Sequence, residues 1–169
     1  MNVCAEDGPQ TIVTLGDFNQ PGCLIYGIGN VGRQDDGLGW AFVDWLEETG
    51  QCPQAELMRH YQLHLEDADL ISHKQRVLFV DASKAPDLEN FRLESMAPKM
   101  DFSFASHALS VPSVMATCRQ CFGRLPETYL LSIRGYEREL EEGITPLARR
   151  NLDAAMTFLA DLPVLNEPI

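Results

Sequence analysis

The sequence predicts one α/β domain, a mostly parallel, twisted sheet with helices on both faces. Three observations carry that expectation. The apolar runs Cys23-Leu24-Ile25-Tyr26-Gly27, Val77-Leu78-Phe79-Val80 and Tyr129-Leu130-Leu131-Ser132-Ile133 are too short for core helices and suit strands buried on both faces. Segments with helical spacing stand between and after these runs. The 169 residues suffice for one core, a size at which folding removes roughly two thirds of the unfolded surface from water.

In chain order, residues 1–22 end in the turn-forming cluster Asn19-Gln20-Pro21-Gly22 and carry a short apolar run from Thr11 to Leu15. They read as an N-terminal extension to a domain spanning 23–162, which leaves a C-terminal tail at 163–169. The first strand runs from Cys23 straight into glycines. Leu38, Ala41, Phe42, Trp45 and Leu46 then recur at helical spacing, with Asp35 and Asp36 where helix N-termini favour acids, so a helix is expected from Leu38 to Glu48. Ala55 to Tyr61 reads as extended, Glu66 to Ser72 as a short helix, and Val77 to Val80 as a second fully apolar strand. Phe91 to Ser95 reads as a shorter strand. Val111, Val114, Met115 and Cys118 share one side of a helix expected from Leu109 to Phe122, and Tyr129 to Ile133 is the next strand. The last helix is expected from Thr145 to Leu159, with Thr145 as N-cap and Pro146 at the first helical position, where a missing N–H costs little.

Composition narrows the function. A net charge of -12 argues against nucleic acid, which needs a basic surface, and against anionic membrane surfaces. Partners are therefore expected among proteins and small molecules. Cys4, Cys23, Cys52, Cys118 and Cys121 are odd in number and scattered, unlike a secreted disulfide framework. Residues 1–10 include Glu6 and Asp7 and lack a basic start and an apolar run, so no signal peptide is visible. No apolar stretch approaches the ~18 residues of a membrane helix. A cytoplasmic monomer is the expectation.

In sheets of this kind, ligands gather at the carboxyl ends of the strands. Gly27-Ile28-Gly29-Asn30-Val31-Gly32 has the glycine spacing of a dinucleotide-binding turn after a strand. Arg33-Gln34-Asp35-Asp36 follows, however, and its carboxylates would oppose a pyrophosphate, while the segment ending at Tyr61 supplies no acid for a ribose. A nucleotide-binding oxidoreductase or binding module using Gly27, Gly29 and Gly32 and a purely structural tight turn both remain open. Asp36 precedes Gly37 in the first strand-to-helix loop, Asp81 follows the run Val77 to Val80, and His107 stands just ahead of a helix. All three are expected at one mouth of the sheet. Two carboxylates and an imidazole suit a divalent transition metal and leave positions open for water or substrate. Spacing alone equally allows a helix-capping Asp36, a turn residue at Asp81 and a satisfied polar His107. Cys118 and Cys121 form a Cys-x-x-Cys pair with no second pair, which reads as core thiols. His60, His64 and His73 have no metal-ligand companions at fixed spacing.

Gly27-Ile28-Gly29-Asn30 followed by Asp35-Asp36-Gly37-Leu38-Gly39 resembles the N-terminal signature of the nickel-iron hydrogenase maturation endopeptidases. Phe79-Val80-Asp81-Ala82, Ser106-His107-Ala108-Leu109-Ser110, Ile133-Arg134-Gly135-Tyr136-Glu137 and Gly143-Ile144-Thr145-Pro146 follow in that family's order, so the resemblance spans Leu24 to Leu159. It implies an aspartic-type endopeptidase that removes a C-terminal peptide from the nickel-loaded precursor of a hydrogenase large subunit. It further implies that Asp36, Asp81 and His107 contact nickel presented by that precursor, so the metal is not held permanently by the enzyme. The segment Tyr61-Gln62-Leu63-His64-Leu65-Glu66-Asp67-Ala68 stands where many relatives have a Gly-Thr-rich turn, and is similar to the branch serving soluble, bidirectional NAD-linked hydrogenases.

Overall fold

The computed structural model describes residues 13–100 and 109–160. Its elements in chain order are α1 (Leu15–Phe18), β1 (Cys23–Ile28), a 3-10 turn (Gln34–Gly37), α2 (Leu38–Thr49), β2 (Glu56–His60), α3 (Glu66–Ser72), β3 (Arg76–Ser83), β4 (Phe91–Ser95), α4 (Val111–Phe122), β5 (Glu127–Arg134) and α5 (Pro146–Ala160). The described strands form one five-stranded sheet in the order β2-β1-β3-β5-β4. All neighbours are parallel except the edge pair β4–β5. The expected α/β sheet with helices on both faces is the observed architecture.

Why the central strands read as unbroken apolar runs is plain from their two faces. Cys23, Ile25, Leu78, Val80, Leu131 and Ile133 point into a core completed by α1, α2 and α5. Leu24, Tyr26, Ile28, Val77 and Phe79 point the other way, against α3 and α4. A parallel sheet covered on both sides has no solvent face, so alternation in direction produces no alternation in polarity.

Two glycines set the depth of the first strand-to-helix connection. A Cβ on Gly39 would lie 2.4 Å from the Val80 carbonyl oxygen and 2.5 Å from that of Ile28, so α2 begins pressed against the ends of β1 and β3. Gly29 has φ +137°, and a Cβ there would stand 1.9 Å from the Asp36 carbonyl oxygen. Only glycine permits both the conformation and the approach.

Several boundaries differ from expectation. β3 continues through Ser83, so Asp81 belongs to the strand, paired with Ser132 of β5, and not to a following loop. The apolar run ends earlier because only its side-chain polarity changes, while the ladder continues. α4 starts at Val111 because the Ser110 hydroxyl accepts from the Ser113 N–H at 3.2 Å, a side-chain cap that stops the helix from extending backward. The segment before β1 is packed into the body of the protein: Val13, Leu15 and Phe18 are buried in the α2–α5 core. Phe18 meets Tyr129 edge-on at 5.8 Å, and the Arg76 Nη1 donates to the Asp17 carbonyl at 2.6 Å. The tail read at 163–169 lies outside the described residues.

Phe18→Ala is therefore expected to cost about 3–5 kcal/mol in denaturant unfolding. Phe122→Ala, at a side chain 44% exposed, should stay below about 1 kcal/mol. A similarly small loss for Phe18→Ala would show that the N-terminal segment lies outside the cooperative unit.

Candidate active site

The sheet order places β2 on one side of β1 and β3 on the other, so the chain reverses its direction of winding between β1 and β3. The helix that follows β1, α2, packs on one face and α3 and α4 pack on the other, and a crevice opens at the carboxyl ends. A cleft of about 380 Å³ occupies this point. Asp36 and Asp81 both line it, together with Arg138, Ser110 and the loop residues Tyr61 to Leu63.

Asp36 sits in the 3-10 turn after β1. Its Oδ2 accepts from the Asn30 N–H at 3.0 Å, and its Oδ1 faces the Arg138 Nη1 at 3.5 Å. Asp81 lies in β3 between Val80 and Ala82, on the face that Val77 and Phe79 share. Burial pushes the Asp81 carboxyl up to about 6, and the neighbouring Asp36 charge pushes in the same direction. A hydrogen bond from the Ala82 backbone and the Arg138 charge offset part of this. The cleft thus holds two mutually repelling carboxylates in a poorly solvated place, one of them retaining its proton to near neutrality.

The adjacent acid behaves differently. Asp35 is fully buried and accepts from the backbone N–H of Tyr136 at 2.8 Å, Glu137 at 3.0 Å and Thr145 at 2.7 Å. The Thr145 hydroxyl also donates to it, at 2.8 Å to Oδ2. Burial alone would raise this carboxyl's pKa, and the donors of Glu137, Thr145 and Tyr136 outweigh it, holding Asp35 below its ordinary value. Thr145 stands just before α5, as expected of an N-cap, with its hydroxyl committed to Asp35.

Neither Asp35 nor Arg138 is identifiable as a site residue from the sequence. Asp35 reads as a helix-start acid beside Asp36, and Arg138 sits among Glu137, Glu139 and Glu141 in what looks like a solvated charged stretch. The one local hint is that two consecutive side chains cannot both face the same cleft. His107 lies outside the described residues. Leu109 and Ser110 line the cleft wall at the start of α4. Among the described residues, no group of three or more His, Cys, Asp or Glu is arranged to hold a metal ion.

The glycine turn has its donors spent. The Gly29 N–H goes to the His60 carbonyl at 3.0 Å, that of Asn30 to Asp36, that of Gly32 to the Asn30 side chain at 2.9 Å, and that of Arg33 to the Asn30 carbonyl at 3.1 Å. A pyrophosphate cradle needs such groups free, so the turn serves packing and holds Asp36. Of the Cys-x-x-Cys pair, Cys118 is a core thiol as expected, whereas Cys121 is exposed because it falls on the outer side of α4. His60 stacks on Tyr26 at 5.5 Å, and His73 pairs with Asp69 on the surface at 3.4 Å.

No family model matches the sequence, and no curated protein matches it. Solved structures match the fold. The NiFe hydrogenase maturation protease HycI from Thermococcus kodakarensis KOD1 superposes with TM-score 0.65 at 20% identity, over 82% of this chain and 90% of that one. The hydrogenase maturating endopeptidase HybD from E. coli gives TM-score 0.65 at 18% identity, over 86% and 92%. HybD from Thermococcus kodakarensis gives 0.62 at 17%, over 83% and 97%. The chain has the fold of the structures solved for hydrogenase maturation proteases.

Asp81 gives a pH signature. Its folded pKa lies above the unfolded value of 3.8, so the native state holds this proton more tightly than the unfolded chain does. The stability it contributes is complete below about pH 4 and is lost as pH rises through about 6. Asp81→Asn should therefore be more stable than the wild type at neutral pH by roughly 1–3 kcal/mol, with the gap closing at acid pH. Denaturant titrations across this range check it, and a variant less stable than wild type at neutral pH would refute the assignment.

Proposed function

We propose that this chain is an endopeptidase that hydrolyses one peptide bond near the C-terminus of the nickel-loaded precursor of a nickel-iron hydrogenase large subunit. The observation that carries this reading is the pair Asp36 and Asp81, brought together in a cleft at the winding reversal of a fold shared with hydrogenase maturation proteases.

In this reading Asp36, Asp81 and His107 contact nickel already lodged in the precursor. Two carboxylates that repel each other when both are ionised are a poor resting arrangement and a good receptor for a divalent cation. A cation arriving with the substrate neutralises them and fixes the scissile bond nearby. The nucleophile is water. Ser110, the described serine on the cleft wall, uses its hydroxyl to cap α4 and donate to the Ser113 hydroxyl at 2.9 Å. Cys23, Cys52 and Cys118 are buried with their thiol pKa values raised by burial, which disfavours thiolate. Hydrolysis then adds one water across the bond, and a cleft carboxylate can accept the water's proton and return it to the departing amine.

The wall formed by Tyr61, Gln62 and Leu63 belongs to the segment whose sequence resembles the branch serving soluble NAD-linked hydrogenases, and we assign the substrate to that class. A soluble precursor places the reaction in the cytoplasm. Among the described residues no helix is long and apolar enough to cross a membrane.

The test is the mass of nickel-loaded and nickel-free precursor after incubation with the protein. Only the loaded form should lose its C-terminal peptide. Asp36→Asn, Asp81→Asn and His107→Ala should each lower the rate by about 100-fold or more while retaining native circular dichroism. Equal cleavage of both precursor forms would defeat the gating role of nickel, and a normal rate in Asp36→Asn would defeat the site.

A further inference from the structure

Arg138 is held in an unusual way. Its neighbours fix the backbone on either side: the Glu137 N–H donates to Asp35 at 3.0 Å, and the Glu139 N–H donates to the Gln34 side chain at 3.1 Å. Its own carbonyl accepts from Arg33 Nη1 at 3.5 Å. The side chain is far less constrained. One long ion pair, 3.5 Å from Nη1 to Asp36 Oδ1, is its contact with the cleft acids. Its Nε is buried and has no hydrogen-bond partner among the described residues.

We propose that Arg138 is the resident counter-cation of the cleft, a specificity-determining residue that a divalent metal ion must displace before it can reach Asp36 and Asp81. The proposal rests on reading those two carboxylates as metal-contacting groups. A guanidinium cannot be deprotonated at any accessible pH, so in the unliganded protein it supplies the positive charge that a pair of close carboxylates requires. An arginine held by full bidentate pairing would be hard to move, whereas one with a long single contact and an unpaired buried Nε gives up little on leaving. Its Cα stays anchored through Asp35 and Gln34, so the head group swings while the loop remains.

The consequence is discrimination by source. A free hydrated ion must displace Arg138 with nothing but the coordination it gains from the cleft groups, and like charge at close range opposes it. A metal carried by a folded precursor brings the docking energy of that protein with it. Arg138 thereby keeps free divalent ions out of a cleft that would otherwise collect them and be blocked.

The experiment titrates free Ni²⁺ into the full chain at neutral pH by calorimetry. Arg138→Gln should bind it about tenfold tighter or more than wild type, a change of roughly 1.4 kcal/mol. Arg138→Met, which keeps the apolar part of the stem, serves if the amide does not fold, as judged by circular dichroism. Arg149→Gln removes the same charge from an exposed position paired with Asp153 and should stay within about twofold of wild type, because surface charge is screened. Adding Asp36→Asn to Arg138→Gln should return the affinity to the wild-type level. No gain over Arg149→Gln, or a gain that survives Asp36→Asn, overturns the proposal. Since no precursor takes part, failure here leaves the peptidase reading intact, and failure of cleavage leaves this titration interpretable.

Discussion

The buried carboxylate of Asp35 is the constraint on which the site's geometry depends. It collects three backbone N–H groups and one hydroxyl from residues 101 to 110 positions away in the chain. Charge-assisted bonds of this kind are stronger than neutral ones, and here they offset the cost of taking an ionised group fully out of water. What they hold together is the 3-10 turn after β1, the loop after β5 and the start of α5. Arg138 stands in that loop, and it reaches Asp36 only because the loop is fastened to the residue beside Asp36. Consecutive acids divide the work: Asp35 points inward and builds, while Asp36 lines the cleft.

The glycines complete this arrangement from below. Gly39 lets α2 begin against the carbonyls of Ile28 and Val80, and Gly29 lets the chain fold back over Asp36. Both bring the turn close enough for Asp36 to share a low-dielectric cleft with Asp81. The protein therefore carries an electrostatic conflict at its centre, and Asp81 shows it in a carboxyl pushed to about 6. At that position burial and a like charge both work against stability at neutral pH, a perturbation of the kind that clusters at functional sites.

The strands and helices were legible in the sequence because their signal is local. Apolar runs and helical periodicity report burial by elements covered on both sides, and the segments from β1 to α5 follow them within a few residues. Asp36 and Asp81 were legible as cleft-lining residues for a related reason, since an acid just past a buried apolar run, or in the loop that follows one, lies near the mouth of the sheet. Asp35 and Arg138 were not, because their meaning lies in contacts a hundred residues apart, and nothing local distinguishes a buried acid from an exposed one beside it. The glycine pattern misleads for the same reason: spacing shows that the backbone turns tightly, whereas the use of its N–H groups depends on Asp36 and on the carbonyl of His60. Residues 13–18 fall in the stretch 1–22 that reads as an N-terminal extension because the turn cluster Asn19 to Gly22 sets it off from the first strand, and only the packing of Phe18 beside Tyr129 reveals their place.

The cleft has a rigid floor and a more exposed wall. Its floor is made of strand ends and a turn whose backbone is fixed by close packing, so Asp36 and Asp81 tolerate little movement. Its wall from Tyr61 to Leu63 is a loop with an exposed Tyr61, while Leu65 is exposed just beyond it. That loop is pinned from behind by Asp67, which accepts from the Tyr26 hydroxyl at 2.9 Å and from the His64 N–H at 2.8 Å. Trp40 braces the other end, donating to the His60 carbonyl at 3.0 Å and lying 5.4 Å from Tyr61. With both ends anchored to the first strand-helix unit and Leu63 buried in the core, it is the exposed side chains of this loop that can change without shifting the carboxylates. Substitutions at Tyr61 and Leu65 alter the surface offered to a partner protein, and the charge geometry beneath stays as it is. In the proposed peptidase, one chemistry could then be kept while the exposed residues of this loop set which polypeptide is admitted.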